Sequence, residues 1–380
     1  MNMKKLMTAL LWLMAVVASA NDGVFYVNGS HLVPLKETDI AVTKEVLTIS
    51  LCDDGYAKVD VQYEFTNRGA AKTVNVGFEA QAPYNDDYER KLDPSGRHPH
   101  IKDFTVTMNG TKLSYQTALV KSGTSEEVSN FKPLDLKKWR VPTGEDAEAW
   151  GNNLQSVTNK DTYINFSCAY YFSAAFKAGK NTIHHTYRYK MSSGVGRAYE
   201  VPYWLLPALR WANGQIDDFT LRIKAEKTAK YFSINPEPFS GAQFVVTQGK
   251  GKVRTAKTGW GGSRIEVTLR NGVVEWHKRN FRPSGDLYIN SADASYSLDE
   301  MPVGFFYDRG GNFVFKYSPL TAEEKRIVRN LPYASRGYVF KDAKLKAYFA
   351  KLWWYMPDPS WQQDTSDFTK EEWRMINENK

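Results

Sequence analysis

The chain has 380 residues, 42% apolar and 14% aromatic, with 50 basic residues against 42 acidic ones and a formal charge of +8. This composition supports packed cores and excludes an intrinsically disordered chain. A charge this modest for the length gives nucleic-acid binding no support, and it permits attraction to anionic envelope polymers without requiring it.

The chain begins with Lys4 and Lys5, followed by an apolar run from Leu6 to Val17. That run is too short to span a bilayer comfortably, and Ala18-Ser19-Ala20 obeys the small-x-small rule for cleavage. Residues 1–20 are therefore expected to be a signal peptide, cut between Ala20 and Asn21, and are set apart from the fold. No Cys follows the cleavage site, so no lipid anchor is expected. No later stretch is apolar enough to cross a membrane.

From Asn21 to about Ser291 the pattern is β. Val59, Val61, Tyr63 and Phe65 alternate with Asp60, Gln62 and Glu64, the period of a half-buried strand. The run Val46 to Leu51 precedes it across the turn signal Cys52-Asp-Asp-Gly55. Asn67-Arg-Gly69 turns into Thr73–Phe78. Phe104–Met108 and Leu113–Thr117 flank Asn109-Gly110, a dipeptide favoured in type I′ hairpins. Residues 121–160 read as an irregular connection with one short helix at 145–150. Strands resume at Tyr163–Phe172 and Thr182–Lys190. Others are expected at Phe219–Ala225, Ala242–Thr247, Arg264–Leu269, Val273–Lys278 and Leu287–Asn290, with Asn271-Gly272 as another hairpin turn. Between them, Val201-Pro-Tyr-Trp-Leu-Leu-Pro207 and Arg210-Trp-Ala-Asn213 read as an aromatic loop, either tucked under the sheets or exposed as a partner or glycan site.

After a linker over 292–317 the pattern becomes helical. Thr321-x-x-Glu324 and Thr369-x-x-Glu372 are capping boxes. Asp342 caps a run with Leu345, Tyr348, Phe349 and Leu352 at i, i+3, i+4 and i+7. Gly337 is a helix stop, and the last helix is expected to bury Trp373 and Ile376. The fold class is thus mostly β with a small α domain: one or two antiparallel β-sandwich units (21–120 and 161–291) followed by a compact helical module (318–380).

The module carries the most specific signal. It reads Tyr333-Ala-Ser-Arg-Gly-Tyr-Val-Phe340, then Tyr348-Phe349, Trp354-Tyr355 and Pro357. In order and spacing this resembles the YARHG domain of bacterial extracytoplasmic proteins. The resemblance implies export and supplies no established activity. Ser335 stands where that family usually has Arg, and Arg336 where it usually has His. More loosely, Asn21-Asp-Gly23, Tyr63-x-Phe-x-Asn67 and Gly179-x-Asn-x-x-His-x-Tyr187 resemble the β-rich regions of uncharacterised exported bacterial proteins.

Residues 323–351 hold eight basic and three acidic side chains, whereas 352–380 hold three basic and six acidic ones. Aromatic faces beside cations suit sugars and anionic polymers, which selects Tyr333, Arg336, Tyr338 and Trp354 as ligand-binding candidates. The competing reading is that a module this small needs its bulky side chains for a core. His98 and His100, with Asp86 and Asp87, are weak metal-ligand candidates, because their spacing matches no established motif. His184 and His185 are adjacent on a strand and point to opposite faces. Cys52 and Cys168 read first as a disulfide in an oxidising compartment, worth about 4–5 kcal/mol if unstrained. The alternative is two buried thiols.

No nucleophile elbow, zinc-protease motif or Gly-rich nucleotide loop is present, and no cofactor is expected. The resulting expectation is an exported, non-catalytic binding or scaffolding protein of the bacterial envelope. Its partner would be an envelope polymer or envelope protein. The alternative is an envelope glycan or peptidoglycan hydrolase using carboxylates of the β body.

Overall fold

The structure is a computed structural model. It describes residues 29–30, 33–34, 39–81, 93, 95–121, 133–135, 166–194, 197–226, 231–257, 262–291, 306–307, 313–314 and 320–380. The expected cleavage site at Ala20 and Asn21, the metal candidates Asp86 and Asp87, and the helix at 145–150 lie outside these residues.

The architecture is mostly β, with sheets that do not close into a barrel and a small helical segment at the C-terminus. The first strands are β1 (Gly29–Ser30), β2 (Val33–Pro34), β3 (Ile40–Leu51), β4 (Tyr56–Asn67) and β5 (Lys72–Gln81). Next come β6 (Ile101–Met108), β7 (Thr111–Lys112), β8 (Gln116–Lys121), β9 (Phe166–Phe176) and β10 (Gly179–Lys190). β11 (Ser192–Gly194) and β12 (Arg197–Trp204) precede a 3-10 turn at Leu206–Arg210. Then follow β13 (Ile216–Ala225), β14 (Tyr231–Ile234), β15 (Val245–Lys257), β16 (Ser263–Phe281) and β17 (Leu287–Ser291). Two short strands, β18 (Phe306–Tyr307) and β19 (Phe313–Val314), pair with each other inside the expected linker.

The large sheet runs β1-β12-β17-β14-β16-β13-β3-β4-β10-β6-β7, with β11 beside β12 and β15 beside β16. A smaller sheet runs β2-β5-β9-β8. Pairing is antiparallel except for β3 with β13 and β1 with β12. The large sheet draws strands from both sides of residues 121–160, since β10 lies between β4 and β6. Alternation along β4 holds as expected: Val59, Val61, Tyr63 and Phe65 are buried. Those side chains meet the small sheet, as Phe78 of β5 stacks on Tyr187 of β10 and Phe65 of β4 meets Phe176 of β9. The two sheets therefore share one core. The large sheet also curls over itself, because the Tyr189 hydroxyl of β10 donates to the Pro202 carbonyl of β12 at 2.8 Å.

Two Asn-Gly dipeptides behave differently. Asn109-Gly110 is a turn, with φ of 49° and 81°, the doubly positive pattern of type I′. Its return strand, β7, lasts only two residues before the chain crosses to the small sheet as β8. Asn271-Gly272 is not a turn, because β16 runs through it from Ser263 to Phe281. There Gly272 adopts φ 102°, and a Cβ would lie 1.8 Å from the Gln248 carbonyl oxygen. The dipeptide marks an irregularity of β15, whose register shifts on either side of Gly249. The segment expected as an aromatic loop is largely strand: Val201 to Trp204 belong to β12, with Tyr203 and Leu205 wholly buried.

Candidate functional site

The helical module is built from four short helices: α1 (Ala322–Val328), α2 (Leu331–Ser335), α3 (Ala343–Ala350) and α4 (Lys370–Glu378). Both capping boxes form. Thr321 accepts from the Glu324 N–H at 3.3 Å, and Thr369 accepts from the Glu372 N–H at 3.2 Å. The Asp342 carboxylate accepts from the Leu345 N–H at 3.0 Å and opens α3. These caps satisfy backbone donors that helices this short leave open. Gly337 closes α2 at φ 89°, a left-handed position that favours glycine. Val328, Leu331, Ala334, Phe340, Leu345, Phe349, Leu352, Trp354, Tyr355 and Met375 form the core. Contrary to expectation, α4 buries Glu372 and Met375, and Trp373 is 40% exposed.

Arg336 is the hub of the module. Its Nε donates to Asp367 Oδ1 at 2.8 Å, and its two Nη atoms donate to the two Glu372 oxygens at 2.7 and 2.8 Å. Further bonds reach the carbonyls of Pro332 and Asp367 and the Ser335 hydroxyl. The guanidinium also lies 4.1 Å above the Phe368 ring. Burial opposes its charge, yet the hydrogen bonds and charges of Glu372 and Asp367 outweigh that and raise its pKa. Glu372 is also the return arm of the α4 capping box, since it accepts from the Thr369 N–H at 2.9 Å. Arg336 thus ties the YARHG-like motif to the start of α4.

Of the four ligand-binding candidates, the structure brings two together at the surface. Tyr333 and Tyr338 are half-buried, with ring centroids 6.3 Å apart. Both meet half-buried Trp361, at 6.4 and 6.0 Å, in edge-on geometry. Arg336 turns inward to its carboxylates, and Trp354 is 5% exposed within the core. Sequence reasoning missed Trp361, whose surroundings (Pro359-Ser-Trp-Gln-Gln363) show no periodicity.

The module is seated on the β15–β16 hairpin. Lys252 donates to the carbonyls of Trp353 and Tyr355 at 3.0 and 2.9 Å. Arg270 donates to the Met356 carbonyl and to Asp358. Arg254 lies 4.3 Å above the Trp353 ring and donates to Glu266, which is fully buried and also held by Arg264. Tyr231 of β14 completes the seat against Trp353 at 5.8 Å. The acidic half of the module therefore lies on a basic hairpin. Hydrogen bonds donated by the Ser360 hydroxyl and N–H, then the charges of Arg270 and Lys250, hold the Asp358 pKa down at about 2.

The remaining candidates lie in the β body. His98 and His100 are buried, and the His100 N–H donates to His98 Nδ1 at 3.1 Å, which occupies the side chain locally. Among the described residues no group of three His, Cys, Asp or Glu could hold a metal ion. His184 bonds Asp60 at 3.1 Å while His185 is fully buried, so they do point apart.

Cys52 and Cys168 are both buried free thiols and not a disulfide. The reason is placement. Cys52 directly follows β3 of the large sheet and donates weakly to the Ser50 carbonyl, with Glu226, Arg188 and Asp54 as its charged neighbours. Cys168 lies on β9 of the small sheet, opposite Ala80 and Leu119. Burial first, then the charge of Asp93, pushes the Cys168 thiol up to about 12. A polar group that sequence did not single out is Glu45, entirely buried on β3 opposite Tyr63. Tyr203 is held well above the tyrosine range, by burial first and then by the charges of Tyr63 and Glu45.

No helix among the described residues is long and apolar enough to cross a membrane. No curated protein matches the chain. Among solved structures, a "putative nutrient binding protein" of Legionella pneumophila aligns over 95% of this chain and 100% of its own, at 20% identity and TM-score 0.49. An M1 zinc metallopeptidase of Deinococcus radiodurans aligns over 67% of this chain and 43% of its own, at 8% identity and TM-score 0.27. Leukotriene A4 hydrolase of Saccharomyces cerevisiae aligns over 67% of this chain and 29% of its own, at 7% identity and TM-score 0.27. The chain thus spans less than half the length of the two enzymes, and at these scores the likenesses say nothing about activity. Family models match at both ends, residues 20–203 to a domain of unknown function, DUF4424, and residues 307–380 to YARHG. The C-terminal part of this chain is therefore a YARHG domain, an extracytoplasmic module, and its N-terminal part carries the uncharacterised DUF4424 domain.

Proposed function

We propose that this protein is an exported, non-catalytic binding or scaffolding component of the bacterial cell envelope, with the YARHG domain as its recognition element. The observation that carries the reading is the surface group Tyr333, Tyr338 and Trp361. These are three half-buried rings on a module whose seat on the β body is hydrogen-bonded at Lys252 and Arg270. Tyrosine and tryptophan supply large, rigid contact area at small entropic cost, and both are enriched at interfaces. The partner is an envelope polymer or an envelope protein.

The test is a pull-down from native envelope with the mature chain, beside the same chain carrying Tyr333→Ala and Trp361→Ala. Retention of a partner by the unaltered chain and its loss from the variant is the expected result. Equal retention by both would move recognition to the β body and leave the helical domain as a structural cap.

A further inference from the structure

The surface group belongs to a longer series of rings. Phe368 meets Tyr333 at 5.2 Å on one side and Trp373 at 5.4 Å on the other. Phe368 is 8% exposed and forms the floor, while Trp373 is 40% exposed. The order of contacts is Trp373, Phe368, Tyr333, then Trp361 and Tyr338. Four of these five rings reach the surface in one connected track.

Their polar tips are uncommitted. Among the described residues no hydrogen bond engages the hydroxyls of Tyr333 and Tyr338 or the indole N–H groups of Trp361 and Trp373. A buried Tyr or Trp usually finds a partner for that group, and a half-buried one presents it to whatever lies on the surface.

The charge around the track decides the ligand class. Residues 352–369, which carry Trp361 and Phe368, contain Asp358, Asp364 and Asp367 and no Lys or Arg, while Lys370 and Arg374 stand on α4 to either side of Trp373, Arg374 paired with Glu378 at 3.9 Å. Arg336, which faces the Phe368 floor, is neutralised by Asp367 and Glu372. Around Trp361 an anionic polymer would meet the segment 352–369, which has carboxylates and no Lys or Arg of its own. The rim is built of neutral polar groups, with Ser360, Gln362 and Gln363 all exposed. Flat apolar faces with hydroxyl, indole and amide groups around them match a sugar ring, which offers C–H bonds on its face and hydroxyls at its edge.

We infer that the track Trp373–Phe368–Tyr333–Trp361–Tyr338 is a binding site for an uncharged polysaccharide. The inference rests on the reading that the YARHG domain is the recognition element, and it names the ligand class of that surface.

The experiment uses the full mature chain. Insoluble chitin and cellulose serve as uncharged probes and alginate as the anionic one. Co-sedimentation is run at low and high salt, and tryptophan fluorescence follows titration with soluble chito-oligosaccharides. Binding to an uncharged glycan that salt does not change is expected, since no ion pair carries it. Trp361→Ala should weaken binding by about twofold to tenfold through loss of a stacking face. Tyr333→Phe with Tyr338→Phe keeps both rings and the fold and removes two hydroxyls, so it should weaken binding by roughly threefold to tenfold per hydroxyl lost. Salt-sensitive binding to alginate alone would overturn the inference, and so would uncharged-glycan binding that all these variants retain. Failure on every glycan, with an envelope protein still captured through the same rings, would overturn the glycan assignment and leave the proposed function standing.

Discussion

Replacing Arg336 with Ala tests whether its charge is structural. In the folded chain its side chain is 12% exposed and that of Glu372 is 9% exposed. The two share bonds of 2.7 and 2.8 Å. Removing one partner of such a buried pair leaves an uncompensated charge and costs about 3–5 kcal/mol. Asp367, 28% exposed, recovers water when the guanidinium goes, so its bond adds about 0–1 kcal/mol at most. The expected loss is therefore about 3–5 kcal/mol, concentrated at the start of α4, where Glu372 also serves the cap. At about 1.4 kcal/mol per tenfold, amide exchange in 369–379 should accelerate by about two to three and a half orders of magnitude. Arg336→Lys keeps the charge and loses the fork, and should fall between the two. Adding Glu372→Gln to Arg336→Ala should restore part of the protection, because it removes the stranded charge. Exchange in α4 that quickens by less than tenfold in Arg336→Ala would refute the reasoning and return Arg336 to the list of ligand-binding groups.

Four further perturbations follow from the structure. Arg270→Ala removes donors to Met356 and Asp358 and should speed amide exchange in 352–361, leaving the β3–β4 core unchanged. Ser360 and Arg270 depress Asp358 from 3.8 to about 2, so its contribution is present above pH 4 and is lost as pH falls toward 2. Acid titration should accordingly loosen the seat over that interval, and a seat unchanged at pH 2 would contradict it. Cys168 has its neutral thiol stabilised up to about 12, so that stabilisation is full below its ordinary 9 and declines as pH rises above it. A thiol reagent at neutral pH should count two thiols only after denaturation, whereas none after denaturation would mean a disulfide. Gly272→Ala, at φ 102° with a Cβ 1.8 Å from Gln248 O, should cost roughly 2–4 kcal/mol in denaturant unfolding.

Strands with one wet face were legible because their alternation is a direct trace of which side chains meet the core. β4 is the clear case. β14 was not legible: Tyr231, Phe232, Ser233 and Ile234 are all buried, so the segment carries no period to read. β12 was hidden by Pro202, whose missing N–H argues against a sheet interior. Nothing local specifies that β13 lies parallel to β3, since that pairing depends on where a distant segment packs. Asn271-Gly272 shows the same limit. The dipeptide reports positive φ, which a turn and a strand irregularity both require.

The module was legible in its caps, because a Thr and a Glu three residues apart satisfy backbone donors within one turn. Its surface was legible only in part, and charge is the reason. Arg336 reads as a cation in sequence, but Asp367 and Glu372, 31 and 36 residues later, cancel it in space. Aromatic residues pose the same ambiguity without the charge. Trp354 and Trp361 are indistinguishable by composition, yet one fills the core and the other stands at the surface. What separates them is the turn that begins at Asp358. Its carboxylate accepts from the Ser360 N–H and hydroxyl, and its backbone carbonyl accepts from the Trp361 N–H. The carboxylate also receives Arg270 from the β body. One aspartate thus fixes both the seat of the module and the presentation of Trp361, so substitutions at Arg270 should reach the ring track without touching it.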